Sequence, residues 1–534
     1  MLKNRTVLIG LDGATFTVLD ALMLAGVMPN LKKFIASSVR GELLSVIPPL
    51  TAPAWTSLMT GRSPSNHGIF DFLRFESEDS RYLTLCNSRH ISCETIWSIV
   101  SRQGLRAISL NFAMMAPIRP ISGYIIPGWM PWRLMRRVFY PEELYDKLKA
   151  ENWFNLKELA MDVNMDEKAV EGCPEEEYED WIQLHIKRER QWFEVLRYLM
   201  LHDPCHLQAI VFDGVDKLQH LCWRFLDPAL IEQNPSSFQR KIRALCLEYF
   251  RQLDQFIAEI VALAGKEANV FIVSDHGFGA TTEIFYLNAW LNQHGYLQWT
   301  DDAKADENSF SKLGLSMPRK QAYLLDWTKT TAYAITPSSN GIHICVAGVR
   351  GEEGIPPSDY DGFRRKLTRE LLSFTDPATG QAVVTRVFTK EEAFAGSQIN
   401  DAPDLTVTLR DNGFISILKS DVLLKQRAQP LGTHLKEGIF IASGPFIRKG
   451  IRVSQLSILD VAPTLLYSLG LEIPEDFEGR MPEEIFEPSH VLKHPVRRGS
   501  PTLPQKPFPQ SEEGENAEEQ AKILARLKAL GYVE

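Results

Sequence analysis

Three short, largely apolar runs each break off into an aspartate within a few residues of a glycine. Thr6 to Ile9 leads into Gly10-Leu11-Asp12-Gly13, His206 to Phe212 into Asp213-Gly214, and Val270 to Val273 into Ser274-Asp275-His276-Gly277. A strand that is apolar at successive positions has no polar face to turn to water, so it must be covered on both sides. Gly438 to Ala442 reads as a fourth buried strand. Between the second and third runs, Ile242, Leu245, Tyr249, Leu253, Phe256 and Ile260 recur at helical spacing, which predicts a helix from Phe238 to about Leu263. Buried strands alternating with such helices predict an α/β fold, a mostly parallel central sheet with helices on both faces.

At 534 residues the chain is long enough for one large domain with insertions or for more than one packing unit. One main domain over 1–488 is expected. Two segments depart from the strand–helix alternation. Residues 123–198, rich in Trp, Arg and Glu, read as a helical insertion. Residues 281–333 contain the polar stretch 300–312. Each is expected either to cover the active edge as a lid or to pack peripherally. Residues 489–519 are dense in Pro, Ser, Glu and Lys and read as a flexible linker. In 520–534 a short helix is expected, because Ile523, Leu524, Leu527 and Leu530 share one helical face.

A formal charge of −9 argues against nucleic acid as the main partner, since phosphate backbones select a basic face. No stretch reaches the ~20 apolar residues of a spanning helix. Seven scattered cysteines without a C-x-x-C pair suit a reducing compartment, and a cytoplasmic protein is expected. The sequence leaves the oligomeric state open.

In an open α/β sheet, ligands collect where the parallel strands end. Asp12, Asp213 or Asp216, and Asp275-His276 all follow predicted strands, and His434 lies just ahead of the fourth. Singly, each has a structural reading, as a turn residue or a hydrogen-bonded loop histidine. Together the carboxylates and histidines make a candidate two-metal site. Asp216 and His220 are spaced i, i+4, on one face of a helix, and so are able to clamp one ion. The donor set suits zinc, with manganese or iron as alternatives. The stretch Pro48-Pro49-Leu50-Thr51-Ala52-Pro53-Ala54-Trp55 reads as the start of a helix with Thr51 as its N-cap. The Thr51 hydroxyl would also stand at a helix N-terminus, where phosphate binds well.

These stretches resemble the alkaline phosphatase superfamily. The resemblance rests on D-G near the start, P-P-x-T-x-P-A-W-T-S-x-x-T-G-R-x-P-x-x-H-G-I, D-x-x-x-H, S-D-H-G-F and G-x-H. Within the superfamily it is to the type I phosphodiesterase/nucleotide pyrophosphatase branch, from about Val7 to Phe486. It implies a bimetal hydrolase of phosphate esters, either phosphodiesters or nucleotide pyrophosphates, acting on a small-molecule substrate. By position, Asp12, Thr51, Asp275 and His276 would hold one divalent ion, and Asp216, His220 and His434 the other. Thr51 would be the nucleophile and pass through a phospho-threonine. Sulfatases of the same superfamily need Cys or Ser in a C/S-x-P-x-R context. Here Thr51 and Trp55 occupy those positions, so sulfatase chemistry is set aside. A phosphomonoesterase or phosphotransferase on the same site, and a non-catalytic phosphate- or metal-binding protein, remain as alternatives.

Overall fold

The computed structural model describes residues 5–77, 80–162, 165, 173–300, 324–349 and 353–505. The first strands of the central sheet are β1 (Thr6–Leu11), β2 (Val39–Leu44), β3 (Ala107–Leu110), β4 (Gly123–Ile126), β5 (Leu207–Phe212) and β6 (Asn269–Val273). β7 (Gly277–Tyr286) and β8 (Leu424–Leu435) leave the central sheet as an antiparallel ribbon, and β9 (Glu437–Ser443) returns to it. The sheet order is β2-β9-β6-β1-β5-β3-β4, with the short strands Ile451–Arg452 and Leu456–Ser457 on the outside of β2. β6, β1, β5, β3 and β4 pair in parallel. β9 runs antiparallel to both β6 and β2 and is the one reversed strand of this sheet among the described residues.

The alternation of side chains along each strand sends them into two separate cores. Val7, Ile9, Ile210, Phe212, Val270, Ile272, Ile439 and Ile441 belong to one. Leu8, Ala209, Val211, Phe271, Val273, Phe440 and Ala442 belong to the other. The second core is closed by helix α1 (Thr51–Thr60), helix α2 (Ile96–Arg102) and the helix Val461–Ser468. On the opposite face lie α3 (Tyr178–His202), α4 (Gly214–Leu226) and α5 (Ser237–Ala264). The expected sheet with helices on both faces is therefore present. α5 starts where Ser236 accepts from the Gln239 N–H and the Gln239 side chain accepts from the Ser236 N–H, and it stops at Gly265 with φ of 78°. This reciprocal cap fixes its first turn.

A third core packs under an antiparallel sheet of Ala332–Tyr333, Gly341–Ile344, Leu405–Leu409 and Val384–Thr389. The segment 123–198 is not wholly helical, because it opens with β4, an edge strand of the central sheet. The segment 281–333 begins inside β7, and residues 301–323, with most of the polar stretch, lie outside the described residues. Residues 488–505 lie against the body. They carry the helix Pro488–Lys493 and the strand Arg498–Gly499, and the Thr502 hydroxyl donates to Asp476. Residues 506–534, including the expected C-terminal helix, are outside the described residues. No described helix is long and apolar enough to cross a membrane.

Candidate metal centre

The parallel strands deliver their C-terminal ends to one edge. Asp12 stands just past β1, Asp213 just past β5, and Asp275-His276 just past β6. Because β9 is antiparallel, its N-terminal end lies at that same edge. His434, near the end of β8, arrives there as well, opposite Phe278 of β7. Two glycines permit the close packing. A Cβ on Gly10 would come within 2.5 Å of the Trp55 ring, so glycine lets α1 lie tight against β1. The Trp55 indole N–H then donates to Asp12 Oδ2 at 3.3 Å. Gly13 turns the chain with φ of 67°, and its N–H donates to Asp275 Oδ1 at 3.1 Å.

The seven residues that the resemblance selects, Asp12, Thr51, Asp216, His220, Asp275, His276 and His434, meet here. Asp12, Asp275 and His276 form one tight group of potential ligands, and Asp216, His276 and His434 a second. His276 therefore lies between the two groups rather than belonging to one alone. Its Nε2 is 3.2 Å from Asp275 Oδ2, 3.6 Å from Asp12 Oδ1 and 4.0 Å from Asp216 Oδ1. His434 Nε2 lies 3.2 Å from Asp216 Oδ1 and 3.0 Å from His220 Nε2, and His220 Nε2 is 3.4 Å from the same Asp216 oxygen. Thr51 is the first residue of α1 and Leu50 occupies the cap position. The expected N-cap role is thus corrected: Thr51 caps nothing, and its Oγ1 instead faces His276 Nε2 at 3.4 Å.

The tautomers follow from the carbonyls. A carbonyl only accepts, so His276 Nδ1–H donates to Gly277 O at 3.1 Å and His434 Nδ1–H donates to Pro49 O at 2.8 Å. Burial pushes both imidazoles below their ordinary range and so holds the rings neutral. Each then presents an Nε2 lone pair to the cluster. The carboxylates present the same sign. Burial, then Asp275 and Asp216, pushes the Asp12 carboxyl well up, and burial with Asp216 pushes Asp275 up to about 8. At Asp216 burial works in the same sense, but His220, with a hydrogen bond from it, and Lys217 outweigh it and hold the carboxyl well below its ordinary range. Asp12 Oδ1 and Asp275 Oδ2 are fully buried and accept no hydrogen bond. Unpartnered buried oxygens beside imidazole lone pairs are costly unless a cation joins them. The donor set of carboxylate oxygens and imidazole nitrogens fits divalent ions such as zinc or manganese.

Asp213, the sequence's other choice beside Asp216, stays outside the cluster. It lies behind Asp216, with Arg188 Nη2 at 3.4 Å, Lys217 Nζ at 3.5 Å and the Asn111 amide donating at 3.2 Å. Sequence reasoning missed the supporting contacts. Trp55 and Pro49 sit in the quoted stretch around Thr51, and only the folded chain assigns the indole to Asp12 and the carbonyl to His434. Gln219, which donates to Gly13 O at 2.7 Å, sits inside the D-x-x-x-H segment and carried no signal of its own.

Residues 6–434 match the family described as type I phosphodiesterase / nucleotide pyrophosphatase. No curated protein matches the chain significantly. Among solved structures it is similar to murine ectonucleotide pyrophosphatase / phosphodiesterase 5, with 14% identity over 90% of this chain and 100% of that one and a TM-score of 0.51. An inactive variant of the murine protein in complex with AMP gives the same identity and coverage and a TM-score of 0.52. Phosphonoacetate hydrolase from Sinorhizobium meliloti 1021, in complex with phosphonoformate, is also 14% identical, over 87% of this chain and 95% of that one, with a TM-score of 0.52. At such identities the likeness is one of fold.

Proposed function

Because the chain belongs to the type I phosphodiesterase / nucleotide pyrophosphatase family, and so to the phosphoester hydrolases, we propose that it cleaves phosphodiester or nucleotide pyrophosphate bonds. In this reading Asp12, Thr51, Asp275 and His276 hold one divalent ion, and Asp216, His220 and His434 hold the other. Zinc is the first choice, with manganese as the alternative. The observation that carries the reading is the pair of buried oxygens, Asp12 Oδ1 and Asp275 Oδ2, that accept no hydrogen bond and lie 3.6 and 3.2 Å from His276 Nε2.

When bound, such ions neutralise phosphoryl oxygens and lower the pKa of a nearby hydroxyl. The chain's own part begins with Thr51. Its place at the start of α1 puts Oγ1 at the cluster, while the first amides of the helix favour the negative charge of a phosphate. Thr51 Oγ1 gives up its proton to solvent and attacks phosphorus in line, the bond from phosphorus to the substrate's leaving alkoxide or phosphate breaks with its electron pair staying on that oxygen, and a phospho-threonine remains until water hydrolyses it. Pro49 O and Gly277 O keep His434 and His276 turned with Nε2 inward throughout. The AMP held by the murine neighbour supports a nucleotide-type substrate. The free thiols of all seven cysteines support a reducing, cytoplasmic setting.

The test compares bis-p-nitrophenyl phosphate with p-nitrophenyl phosphate, with zinc or manganese added, for wild type and Thr51→Ala. Diester turnover that falls at least ~10³-fold in Thr51→Ala, with ion content unchanged, is expected when a nucleophile is removed. Preference for the monoester would move the assignment to a phosphomonoesterase on the same site. Full activity in Thr51→Ala would overturn the nucleophile. No turnover of either ester by an ion-loaded chain would favour the binding protein.

A further inference from the structure

Behind Asp216 lies a buried charged group that the mechanism above does not use. Lys217, Asp213, Arg188 and Glu189 are all at most 2% exposed. Asp216 has two faces. Its Oδ1 meets His434 and His220, and its Oδ2 lies 3.7 Å from Lys217 Nζ. The Lys217 ammonium makes no hydrogen bond of normal geometry, although it has three donors to offer. Its neighbours are Asp213 Oδ2 at 3.5 Å, Asp216 Oδ2, and the Trp129 ring face at 5.0 Å.

Asp213 is held without Lys217. Its Oδ1 accepts from Asn111 Nδ2, and Arg188 Nη2 stands 3.4 Å from its Oδ2. The start of α4 is pinned separately, by the Gly214 N–H donating to Glu189 Oε1 at 2.9 Å. Arg188 and Glu189 come from α3, in the segment 123–198. Asp213 thus has Arg188 and the Asn111 amide beside it as well as Lys217, whereas Lys217 is the one lysine or arginine within 4 Å of the Asp216 carboxylate among the described residues.

We propose that Lys217 is a positioning residue of the metal centre: its ammonium occupies the outer oxygen of Asp216 and leaves Oδ1 alone turned to the histidines. This rests on the metal reading given above. Partners of this kind fix a ligand's orientation, and losing one weakens ion binding ~10–100-fold. A plain through-space effect has the opposite sign. A cation this near a divalent ion repels it, so removing the cation would tighten binding. The sign of the change therefore separates positioning from simple repulsion.

The experiment titrates the full, ion-free chain with Zn²⁺ alone against a chromophoric chelator, for wild type, Lys217→Met and Lys217→Arg. Wild type is expected to take up two ions. Lys217→Met should bind one of them ~10–100-fold more weakly and the other nearly unchanged, and Lys217→Arg should recover most of the loss. Unchanged, tighter, or equally weakened binding of both ions would overturn the inference while leaving the metal reading intact. A wild type that takes up no ion would overturn both. If Lys217→Met loses its fold by circular dichroism, Lys217→Met/Asp213→Asn is read by the same criteria, because it removes the ammonium and its other carboxylate together.

Discussion

Asp275 and Glu283 lie eight residues apart in one stretch of chain, and both are buried, at 0% and 2% exposure. Their surroundings are opposite. Glu283 receives a two-pronged guanidinium: Arg410 Nε donates to Oε1 at 2.8 Å and Nη2 to Oε2 at 2.5 Å, with Gln426 adding a bond at 3.2 Å. Asp275 receives one backbone N–H on Oδ1, and its Oδ2 faces an imidazole lone pair and accepts nothing. A buried carboxylate needs a counter-charge in either place. At Glu283 the chain supplies it, so the site is closed and serves the fold. At Asp275 the chain supplies more negative charge and lone pairs, so the counter-charge has to come from solution.

Breaking the closed site gives the largest effect on stability. Arg410→Met leaves Glu283 as an uncompensated buried charge, which costs about 3–5 kcal/mol. Urea unfolding should show that loss equally with and without divalent ions. A loss below ~1 kcal/mol, or one that ions repair, would mean that the two sites are not different in kind.

The open site should respond the other way. Ions that bind only the folded chain stabilise it by about 2.7 kcal/mol at a hundred times the dissociation constant. Treatment with a chelator is expected to remove that increment, and Arg410→Met should still show it. If ion loading leaves the unfolding midpoint where it was, Asp12 and Asp275 are satisfied in some other way.

The sequence exposed these two regions unequally, and the reason is the range of the interactions. β1, β5 and β6 are legible because burial on both faces is written into consecutive residues. Asp12, Asp275 and His276 are legible because they follow those strands directly. His434 comes into range only because β9 runs backwards, and strand direction is a matter of long-range pairing that Gly438 to Ala442 does not encode locally. The cap expected of Thr51 failed for a related reason. The residue type suits a cap, but the tertiary fold starts the helix one residue earlier and turns the hydroxyl to His276. Arg188 and Lys217 gave no signal, since a charged residue in an amphipathic helix reads as solvated until its neighbours are known. Arg410 and Glu283 are 127 residues apart, so their pairing is likewise invisible locally.

Asp71 sharpens the comparison, because it stands between the two extremes. It is buried, and its donors are neutral: the Thr336 hydroxyl, the Ser338 hydroxyl at 2.9 Å and the Phe72 N–H at 2.6 Å. Burial pushes its carboxyl up to about 6, against those three hydrogen bonds. A folded-state value above the unfolded one means that the folded chain binds this proton more tightly. The stabilisation is therefore fully present below about pH 4 and is lost as pH rises through about 6. Its size is on the order of 3 kcal/mol. In chelator, the stability of wild type relative to Asp71→Asn should fall across that window and level off above it. A difference that stays flat would show that three neutral donors can replace a counter-charge, and the contrast between Glu283 and Asp275 would then lose its physical basis.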